Sequence, residues 1–575
     1  MIQRSRWIIQ KTEITTDEGM VCTHHPAASE AAIQILERGG NAIDAAVAAG
    51  FAVGVAEPFN SGLGGIAQLV YRDASTGRVT VFDGTTVLPK KIHPGLFPLA
   101  DPPSVAGMYG WPAVEGDINN TGWLAPGVPG TPACLLEALA RFGKLRRDEV
   151  LSPAIRLARN GVEVDWNTAL TILGSAAKLA QFPATKKIYF SSSGIPLISE
   201  AFGATADFLR QPDLAWTLER LVEDGPAAFY TGVVAQRFAE QMGMHGGLIT
   251  AGDLANYRLR VFDGGVSVPY RDIEATVAPQ TGGGLTIAQA LKLLDGFDLS
   301  ALGWGSTAAS HVLVEALRRV FLDRFRYLGD PTFEPVPFEG LLSDGYATER
   351  RATIDLSRAT PMIDPGNPWK FQPGGGETTP PFRTITPDPG HTTHLTVVDR
   401  DRNMVSLTST LGASFGSAIV VPGTGILLNN LVTWFDPRPG TQNSIAPGRR
   451  VLWAGSPTIL TRNGRPLAAL GAPGGRKIMS AVLQVIVNLV DFGMGMQDAI
   501  GAPRLHCEGP EITIESRTPS ETIAGLRELG HQVTVQTESF ATSFFARPNG
   551  ILIDPASGRL RGGIDPFRPY YVMGV

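Results

Sequence analysis

The sequence predicts a layered α+β fold, and three observations point to it. Helical patterns dominate the chain from residue 28 to about residue 330, whereas short alternating strands with one apolar helix dominate the part after residue 391. Between them, residues 361–391 contain eight Pro and five Gly, a composition that excludes a helix or a central strand. Long separate blocks of helices and strands are typical of segregated layers rather than of an alternating parallel sheet.

Two helices are predicted at the start of the helical part. The first covers Ala28 to Arg38 and ends at Gly39-Gly40, where glycine can adopt the left-handed conformation of a helix C-terminus. The second begins at Asn41, a good N-cap, with Asp44 three residues further on. Its body is apolar on nearly every side, so we expect it to be buried. Strands are predicted at 67–72 and 78–82, and residues 130–330 are predicted to be mostly helical.

The part after residue 391 begins with a predicted hairpin. Two alternating runs, His394–Asp399 and Met404–Thr410, flank a polar turn of four residues. A second hairpin is indicated by Asn463-Gly464, and an apolar helix is predicted from Lys477 to Val490. Segment 361–391, which precedes the first hairpin, is interpreted as a mobile connection, because long structureless runs inside compact proteins are usually functional or mobile.

The composition excludes several classes of protein. The formal charge is −5, spread evenly over 575 residues, which does not favour nucleic-acid binding. The cysteines Cys22, Cys134 and Cys507 are too far apart to indicate a disulfide framework or a metal pair. The N-terminus lacks the apolar run of a signal peptide, and no apolar stretch reaches the ~18 residues that span a membrane. We therefore expect a soluble, cytoplasmic enzyme with no membrane or nucleic-acid partner.

Two familiar site patterns are present without the context that they require, and a third is absent. Gly412–Gly416 matches the G-x-S-x-G nucleophile elbow, but β-branched and turn-forming residues follow it instead of a helix. Gly62–Ala67 matches a dinucleotide-binding pattern, yet it follows a buried helix rather than a strand. The nine histidines show no metal-ligand spacing. The sequence thus predicts neither a cofactor nor a metal.

Thr392 is the strongest candidate nucleophile, because it lies where the Pro- and Gly-rich segment meets the first strand of the β-rich part. A threonine hydroxyl is a weak nucleophile unless a base is adjacent, and a free α-amino group on the same residue can serve. Such an amine has a pKa of about 7.7–8, which suits proton transfer near neutral pH. Chain cleavage between His391 and Thr392 would create it.

Two further groups are predicted to lie beside Thr392. If the hairpin turn is centred on Asp401, Thr410 stands opposite Thr392, with the two hydroxyl groups on the same face of the sheet. An ordinary Thr–Thr sheet pair is the alternative, and a one-residue slip would remove the contact. Gly474-Gly475 stands between a strand and a helix, where backbone N–H groups can bind an oxyanion.

These residues carry a family resemblance that extends over nearly the whole chain. The sequence resembles the γ-glutamyltransferase (γ-glutamyltranspeptidase) family of N-terminal nucleophile hydrolases. The matching stretches are GMVCTHHPAASEAAIQILERGGNAIDAAVAAGFAVGVAEPFNSGLGG at 19–65, APGVPGTPACLLEALARFGKL at 125–145, GGLITAGDLANYR at 246–258, TTHLTVVDRDRNMVSLTSTL at 392–411, GILLNN at 425–430, SPTI at 456–459 and APGGRKI at 472–478.

The resemblance implies a four-layer αββα sandwich and a proenzyme that cuts itself between His391 and Thr392. The products would be a large chain of residues 1–391 and a small chain of residues 392–575, which together form one catalytic sandwich. It also implies that Thr392 is the nucleophile, that Thr410 assists it, and that Gly474 and Gly475 form the oxyanion hole.

The predicted substrate pocket departs from the family pattern. Members that bind glutamate hold its α-carboxylate with an arginine, and Thr85 occupies that position here. The other polar positions of the pattern correspond in this sequence to Gly412, Leu431, Trp434, Trp453 and Ala454. Losing a bidentate arginine and its neighbours removes specific binding of the glutamyl zwitterion. The stretches FDPRPG and SIAPGRRV resemble instead the cephalosporin-acylase-type branch.

The sequence therefore predicts a self-processing amidohydrolase that forms an acyl-enzyme on Thr392. Its expected partners are a small-molecule amide and the second fragment of its own chain, with a higher oligomer left open. Three alternatives remain: a genuine γ-glutamyltransferase, a relative that cleaves a carbon–carbon bond in a biosynthetic pathway, and a non-catalytic relative.

Overall fold

The structure is a computed structural model that describes residues 9–201, 203–376 and 390–575. Its helices are α1 (Pro26–Glu37), α2 (Ala42–Ala56), α3 (Thr131–Phe142), α4 (Arg147–Asn160), α5 (Trp166–Leu179), α6 (Pro183–Tyr189), α7 (Pro212–Asp224), α8 (Pro226–Tyr230), α9 (Val233–Met244), α10 (Ala251–Ala255), α11 (Gly284–Leu294), α12 (Leu299–Leu302), α13 (Thr307–Tyr327), α14 (Phe338–Leu342), α15 (Asp344–Arg351), α16 (Lys477–Val490), α17 (Met496–Gly501) and α18 (Ser520–Glu528).

Most of the strands belong to two large sheets. The strands are β1 (Ile14–Thr16), β2 (Met20–Thr23), β3 (Ile66–Arg72), β4 (Val79–Gly84), β5 (Val105–Ala106), β6 (Trp111–Pro112), β7 (Val162–Glu163), β8 (Phe208–Leu209), β9 (Arg260–Asp263), β10 (Val266–Tyr270), β11 (Ile273–Val277), β12 (His391–Val398), β13 (Met404–Gly412), β14 (Val420–Val421), β15 (Ile426–Leu427), β16 (Thr458–Arg462), β17 (Arg465–Gly471), β18 (Leu505–Cys507), β19 (Glu511–Glu515), β20 (Gln532–Gln536), β21 (Asn549–Ile553), β22 (Leu560–Ile564) and β23 (Tyr571–Gly574).

Two seven-stranded sheets form the centre of the fold. The nucleophile sheet has the strand order β23-β2-β12-β13-β3-β4-β9, and the second sheet has the order β1-β22-β21-β17-β16-β11-β10. Both sheets combine strands from before and after residue 391. A cut at that position would therefore leave two chains that share both sheets.

Helices cover the outer face of each sheet, which gives the four-layer αββα sandwich. One apolar cluster joins α1 to α4 to the outer face of the nucleophile sheet through residues such as Leu395 and Leu407. A second joins α11, α13 and α16 to the other sheet through Leu460 and Leu470. Between the sheets, side chains from both, including Met404 and Ile459, form a third cluster. The predicted α+β class and the αββα layering are confirmed.

Local sequence signals are confirmed at the helix ends. Helix α1 ends beside Gly39, whose φ of +88° lies in the left-handed region. Asn41 and Asp44 form a complete capping box at the start of α2, and all but one of the α2 residues are buried. The helix predicted from Lys477 to Val490 has those bounds.

The segment 130–330 is less uniformly helical than predicted. Strands β9, β10 and β11 lie within it, and β11 pairs with β16 inside the second sheet. These strands are only four to five residues long, so they are easily missed beside long helical patterns.

Within the predicted mobile segment, Pro368–Phe371 forms a 3-10 turn with Trp369 buried. Residues 377–389 lie outside the described residues, so mobility there stays a prediction. Among the described helices, none has the length and apolarity needed to cross a bilayer.

Candidate active site

Thr392, at the start of β12, lies opposite a β-bulge in β13. The predicted register is confirmed from Thr393, opposite Ser409, to Val398, opposite Met404. His391, however, pairs with Gly412, so the two residues 410 and 411 stand against the single residue 392. Thr392 is 5% exposed at this position. The extra residue of β13 interrupts the regular pairing opposite the bond predicted to be cut, as is common beside active sites.

The Thr410 hydroxyl contacts the peptide bond rather than forming a plain side-chain pair across the sheet. Its Oγ1 donates to the carbonyl oxygen of His391 at 2.5 Å, and the Gly412 N–H donates to the same Oγ1 at 2.8 Å. The Gly412 donor orients the hydroxyl proton toward the carbonyl oxygen of the bond between His391 and Thr392. The hydrogen bond polarises that carbonyl group.

Gly475 lies directly beside Gly390, the residue that precedes His391, and Gly474 packs against Ala546. The φ angles of Gly474 and Gly475 are +131° and +59°, both in the region that favours glycine. A Cβ added to Gly475 would lie 2.9 Å from the backbone nitrogen of Gly390, and one added to Gly474 would lie 2.5 Å from Ala546 Cα. The uncut chain therefore packs against the predicted oxyanion-hole backbone with no room for a side chain.

A polar loop after α2 contacts the same bulge from the helical layer. Thr393 Oγ1 donates to Glu57 Oε2 at 2.9 Å, and His391 Nδ1 lies 3.3 Å from Asn60 Oδ1. Glu57 is 1% exposed, and this burial raises its pKa to about 8. Burial likewise lowers the pKa of His391 to about 4, so its imidazole is neutral at pH 7.

A cluster of buried apolar side chains adjoins the site. Leu431, Trp434 and Trp453 are buried in one cluster, together with Met108 and Tyr109. The Met108 sulfur would lie 3.1 Å from a Cβ on Gly390 and 3.3 Å from a Cβ on Gly475, which places this cluster at the glycine pair. The sequence pattern identified the first three residues, whereas nothing in the sequence marked Met108 and Tyr109.

The surroundings of Thr85 differ from the uncharged pocket that we expected. The strand register, extended by one residue, places Thr85 opposite Ile66, which in turn pairs with Thr410. Because neighbouring strands are ~4.8 Å apart, Thr85 lies roughly 10 Å from Thr410. Arg260 and Arg450 both approach its hydroxyl, at 3.4 and 3.5 Å. Arg260 also pairs with Asp83, whose carboxylate is fully buried. The two guanidinium groups come from parts of the chain far from position 85, so the sequence around Thr85 gives no sign of them.

The remaining two predicted pocket residues, Gly412 and Ala454, lie outside the apolar cluster that contains Trp453. Gly412, with φ of +103°, has no space for a side chain, since an added Cβ would lie 2.1 Å from Asn430 Oδ1. Ala454 belongs to the apolar cluster of the second sheet rather than to that of Trp453.

The alternative sites fail on geometry. The stretch after Ser414 continues as a turn and the short strand β14, without the helix of a nucleophile elbow. All three cysteines are buried, and burial raises the pKa of each thiol. Such thiols are unreactive.

One cluster in the described part of the chain brings three metal-ligand groups together. His311, Glu315 and His531 lie within 4.8 Å of one another. Both Glu315 oxygens are already bound by the guanidinium groups of Arg318 and Arg319. These two cations oppose a metal ion at the site.

Comparisons with known proteins agree with this geometry. The family described as gamma-glutamyltranspeptidase matches residues 28–575. The acylase ACY 1 proenzyme of Pseudomonas sp. strain V22 is 38% identical over 560 residues, covering 96% of this chain and 94% of that protein. The glutathione hydrolase proenzyme of Bacillus subtilis strain 168 is 34% identical over 562 residues, covering 97% and 92%.

A solved structure gives the same result for the fold. The cephalosporin acylase from Bacillus halodurans superposes with a TM-score of 0.84 at 28% identity, covering 100% of this chain and 98% of that one. The chain matches this structure and both relatives over almost its full length. Its fold is that of the N-terminal nucleophile hydrolases, and the chain belongs to the gamma-glutamyltranspeptidase family of amide-hydrolysing enzymes.

Proposed function

We propose that this enzyme cuts its own chain between His391 and Thr392 and then uses Thr392 to hydrolyse small-molecule amides through an acyl-enzyme. The observation that carries the proposal is the hydrogen bond from Thr410 Oγ1 to the carbonyl oxygen of His391. A donor at that oxygen stabilises the negative charge that develops when a nucleophile attacks the carbonyl carbon.

Self-cleavage follows from the same contact. Thr392 Oγ attacks the carbonyl carbon of His391, the C–N bond breaks, and the hydroxyl proton moves to the nitrogen. The resulting ester is hydrolysed by water, which leaves a carboxylate on His391 and a free amine and hydroxyl on Thr392. The free amine then serves as the base for the neighbouring hydroxyl.

The amide substrate is attacked by the Thr392 hydroxyl after processing. The backbone N–H groups of Gly474 and Gly475 receive the oxyanion once the chain before Thr392 has left the pair. The amine leaves with a proton, and water releases the acyl group from Thr392 as a carboxylic acid. The mature enzyme would be a heterodimer of its two fragments.

The acyl group that we propose is not a standard γ-glutamyl group. Leu431, Trp434 and Trp453 lie in an apolar cluster at the glycine pair. Burying the charged ammonium group of a glutamyl substrate against such side chains is costly. The similarity to an acylase also supports an acyl group other than γ-glutamyl.

Intact mass spectrometry tests both steps. Wild-type protein should appear as chains of 391 and 184 residues, and incubation with a panel of N-acyl amides should add one acyl mass to the smaller chain. Thr392→Ala should remain one chain of 575 residues. An uncut wild-type chain, or an uncut variant that still hydrolyses amides, would contradict the proposal.

A genuine γ-glutamyltransferase is the second candidate, because Arg260 and Arg450 bring positive charge to Thr85. The similarity to a glutathione hydrolase also favours it. Turnover of a γ-glutamyl anilide at a rate comparable to the best N-acyl amide would support this candidate over the first.

A further inference from the structure

We propose that Glu57 is a positioning residue for the self-cleavage described above. Together with Asn60, it holds the residues on both sides of Thr392 and thereby fixes the geometry of the bond to be cut. The inference rests on the proposed function, since it concerns how the cut is prepared.

The contacts of Glu57 and Asn60 reach both sides of Thr392. On one side, Glu57 Oε2 accepts the hydrogen bond of Thr393 Oγ1 at 2.9 Å. On the other, the Asn60 N–H donates to the backbone carbonyl oxygen of Glu57 at 3.1 Å, and Asn60 Oδ1 lies 3.3 Å from His391 Nδ1. The neutral imidazole donates this bond through Nδ1. The turn that contains Glu57 and Asn60 therefore connects the residues immediately before and after Thr392.

The same loop also fixes the opposite strand. The backbone carbonyl of Asn60 accepts the N–H of Leu411 at 3.1 Å, and Leu411 is one of the two residues that face Thr392 across the bulge. Glu57 caps the C-terminus of α2, a buried helix of the outer layer. The bulge is thus anchored at residues 391, 393 and 411 to one rigid element.

This anchoring has a chemical consequence. Attack by a hydroxyl on the carbonyl of the preceding residue requires the two groups to be within about 3–3.5 Å and aligned, and a displacement of ~1 Å can cost ~10²-fold in rate. A backbone free to relax into a regular ladder would lose the bulge. Glu57 and Asn60 prevent this by holding the two neighbours of Thr392, Thr393 and His391.

The surroundings favour a neutral group at Glu57. Its Oε1 has no hydrogen-bond partner among the described residues, and neither has Nδ1 of His24, which lies 4.0 Å from Glu57 Oε2. Burial lowers the pKa of His24, and Tyr570 stacks on its ring. The charged neighbours Asp165 and Arg568 have opposite effects on the carboxyl group. Glutamine, which is neutral and has the same shape, is therefore the conservative replacement.

The test follows the appearance of the 184-residue chain during timed cell-free synthesis. Glu57→Ala should slow cleavage by ~10²-fold, whereas Glu57→Gln should stay within ~3-fold of wild type. Thr393→Val should slow cleavage and Thr393→Ser should not. Because both partners act through one contact, the double variant Glu57→Ala/Thr393→Val should be no slower than the slower single variant.

A control separates positioning from stability. Asp44→Asn removes another buried carboxyl group of α2, which caps the helix N-terminus and has no contact with the bulge. It should lower the melting temperature and leave the cleavage rate unchanged. If Glu57→Ala does not fold, the comparison of Thr393→Val with Thr393→Ser tests the positioning role instead.

The outcomes are distinguishable from failure of the proposed function. An uncut wild-type chain overturns that function. A wild-type chain that cuts normally, with Glu57→Ala or Thr393→Val cutting at the same rate, overturns only the positioning role. The positioning role would also be overturned if the rate losses of Glu57→Ala and Thr393→Val added up in the double variant. It would be overturned as well if Asp44→Asn slowed cleavage in proportion to the stability that it loses.

Discussion

Replacing Thr410 by valine tests the contact on which the proposed chemistry depends. Valine keeps the shape of threonine but replaces the hydroxyl with a methyl group. The change removes the 2.5 Å hydrogen bond to the carbonyl oxygen of His391 and the 2.8 Å bond accepted from the Gly412 N–H. The first loss affects the reaction, and the second affects the fold.

The expected magnitudes differ for the two losses. Removing one donor to a developing oxyanion costs ~10²–10³ in rate, or ~2.7–4 kcal/mol of transition-state stabilisation. Leaving the buried Gly412 N–H without an acceptor costs ~1–3 kcal/mol of folding free energy. A protein that folds with a normal margin survives the second loss, so cleavage should slow far more than folding is impaired.

The assay measures the rate of cleavage after synchronised synthesis, together with the free energy of unfolding in urea. Thr410→Ser, which keeps a hydroxyl, should retain most of the rate. Thr408→Val is the matched control, because Thr408 lies two residues away on the same strand and contacts His394 at 2.9 Å instead of the peptide bond. Cleavage by Thr410→Val within ~3-fold of wild type, or equal slowing in both valine variants, would refute the reasoning.

Three further substitutions test other parts of the site. Gly475→Ala should block or strongly slow cleavage, since its Cβ would lie 2.9 Å from Gly390 N and φ is +59°; mass spectrometry of the uncut chain is the check. Thr85→Arg should lower the melting temperature without creating γ-glutamyl anilide turnover, because position 85 is fully buried beside two guanidinium groups; a gain of turnover would contradict the geometry. Glu57→Gln should remove a pH-dependent loss of stability. The folded-state pKa of Glu57, about 8, is raised above the usual value of 4.5, so its contribution is fully present below pH 4.5 and is lost as pH rises through 8. At ~1.4 kcal/mol per pKa unit, the loss is on the order of 5 kcal/mol. The free energy of unfolding in urea, measured at pH 5 and pH 8.5, should rise for the variant relative to wild type at the higher pH. An equal difference between the two proteins at both pH values would contradict the prediction.

The sequence determined those features that depend on neighbouring residues. The capping box of Asn41 and Asp44, the left-handed Gly39 and the alternation of the hairpin after Thr392 are local patterns, and each has the predicted form. The fold class followed from the same patterns, because a buried apolar helix and amphipathic strands have few alternative ways to bury their surfaces. The sequence pattern also placed Thr392 and Thr410 on adjacent strands.

Only the tertiary structure decided how the site is assembled. The bulge at Thr392, the contact of Thr393 with Glu57 across 336 residues of chain, and the approach of Arg450 to Thr85 across 365 residues have no local signature. A bulge is the result of competing contacts on both sides of a strand, and those contacts come from elements that meet only after the layers have packed. The sequence thus pointed to Thr392 as the candidate nucleophile, while packing determined which carbonyl group, carboxyl group and guanidinium groups surround it.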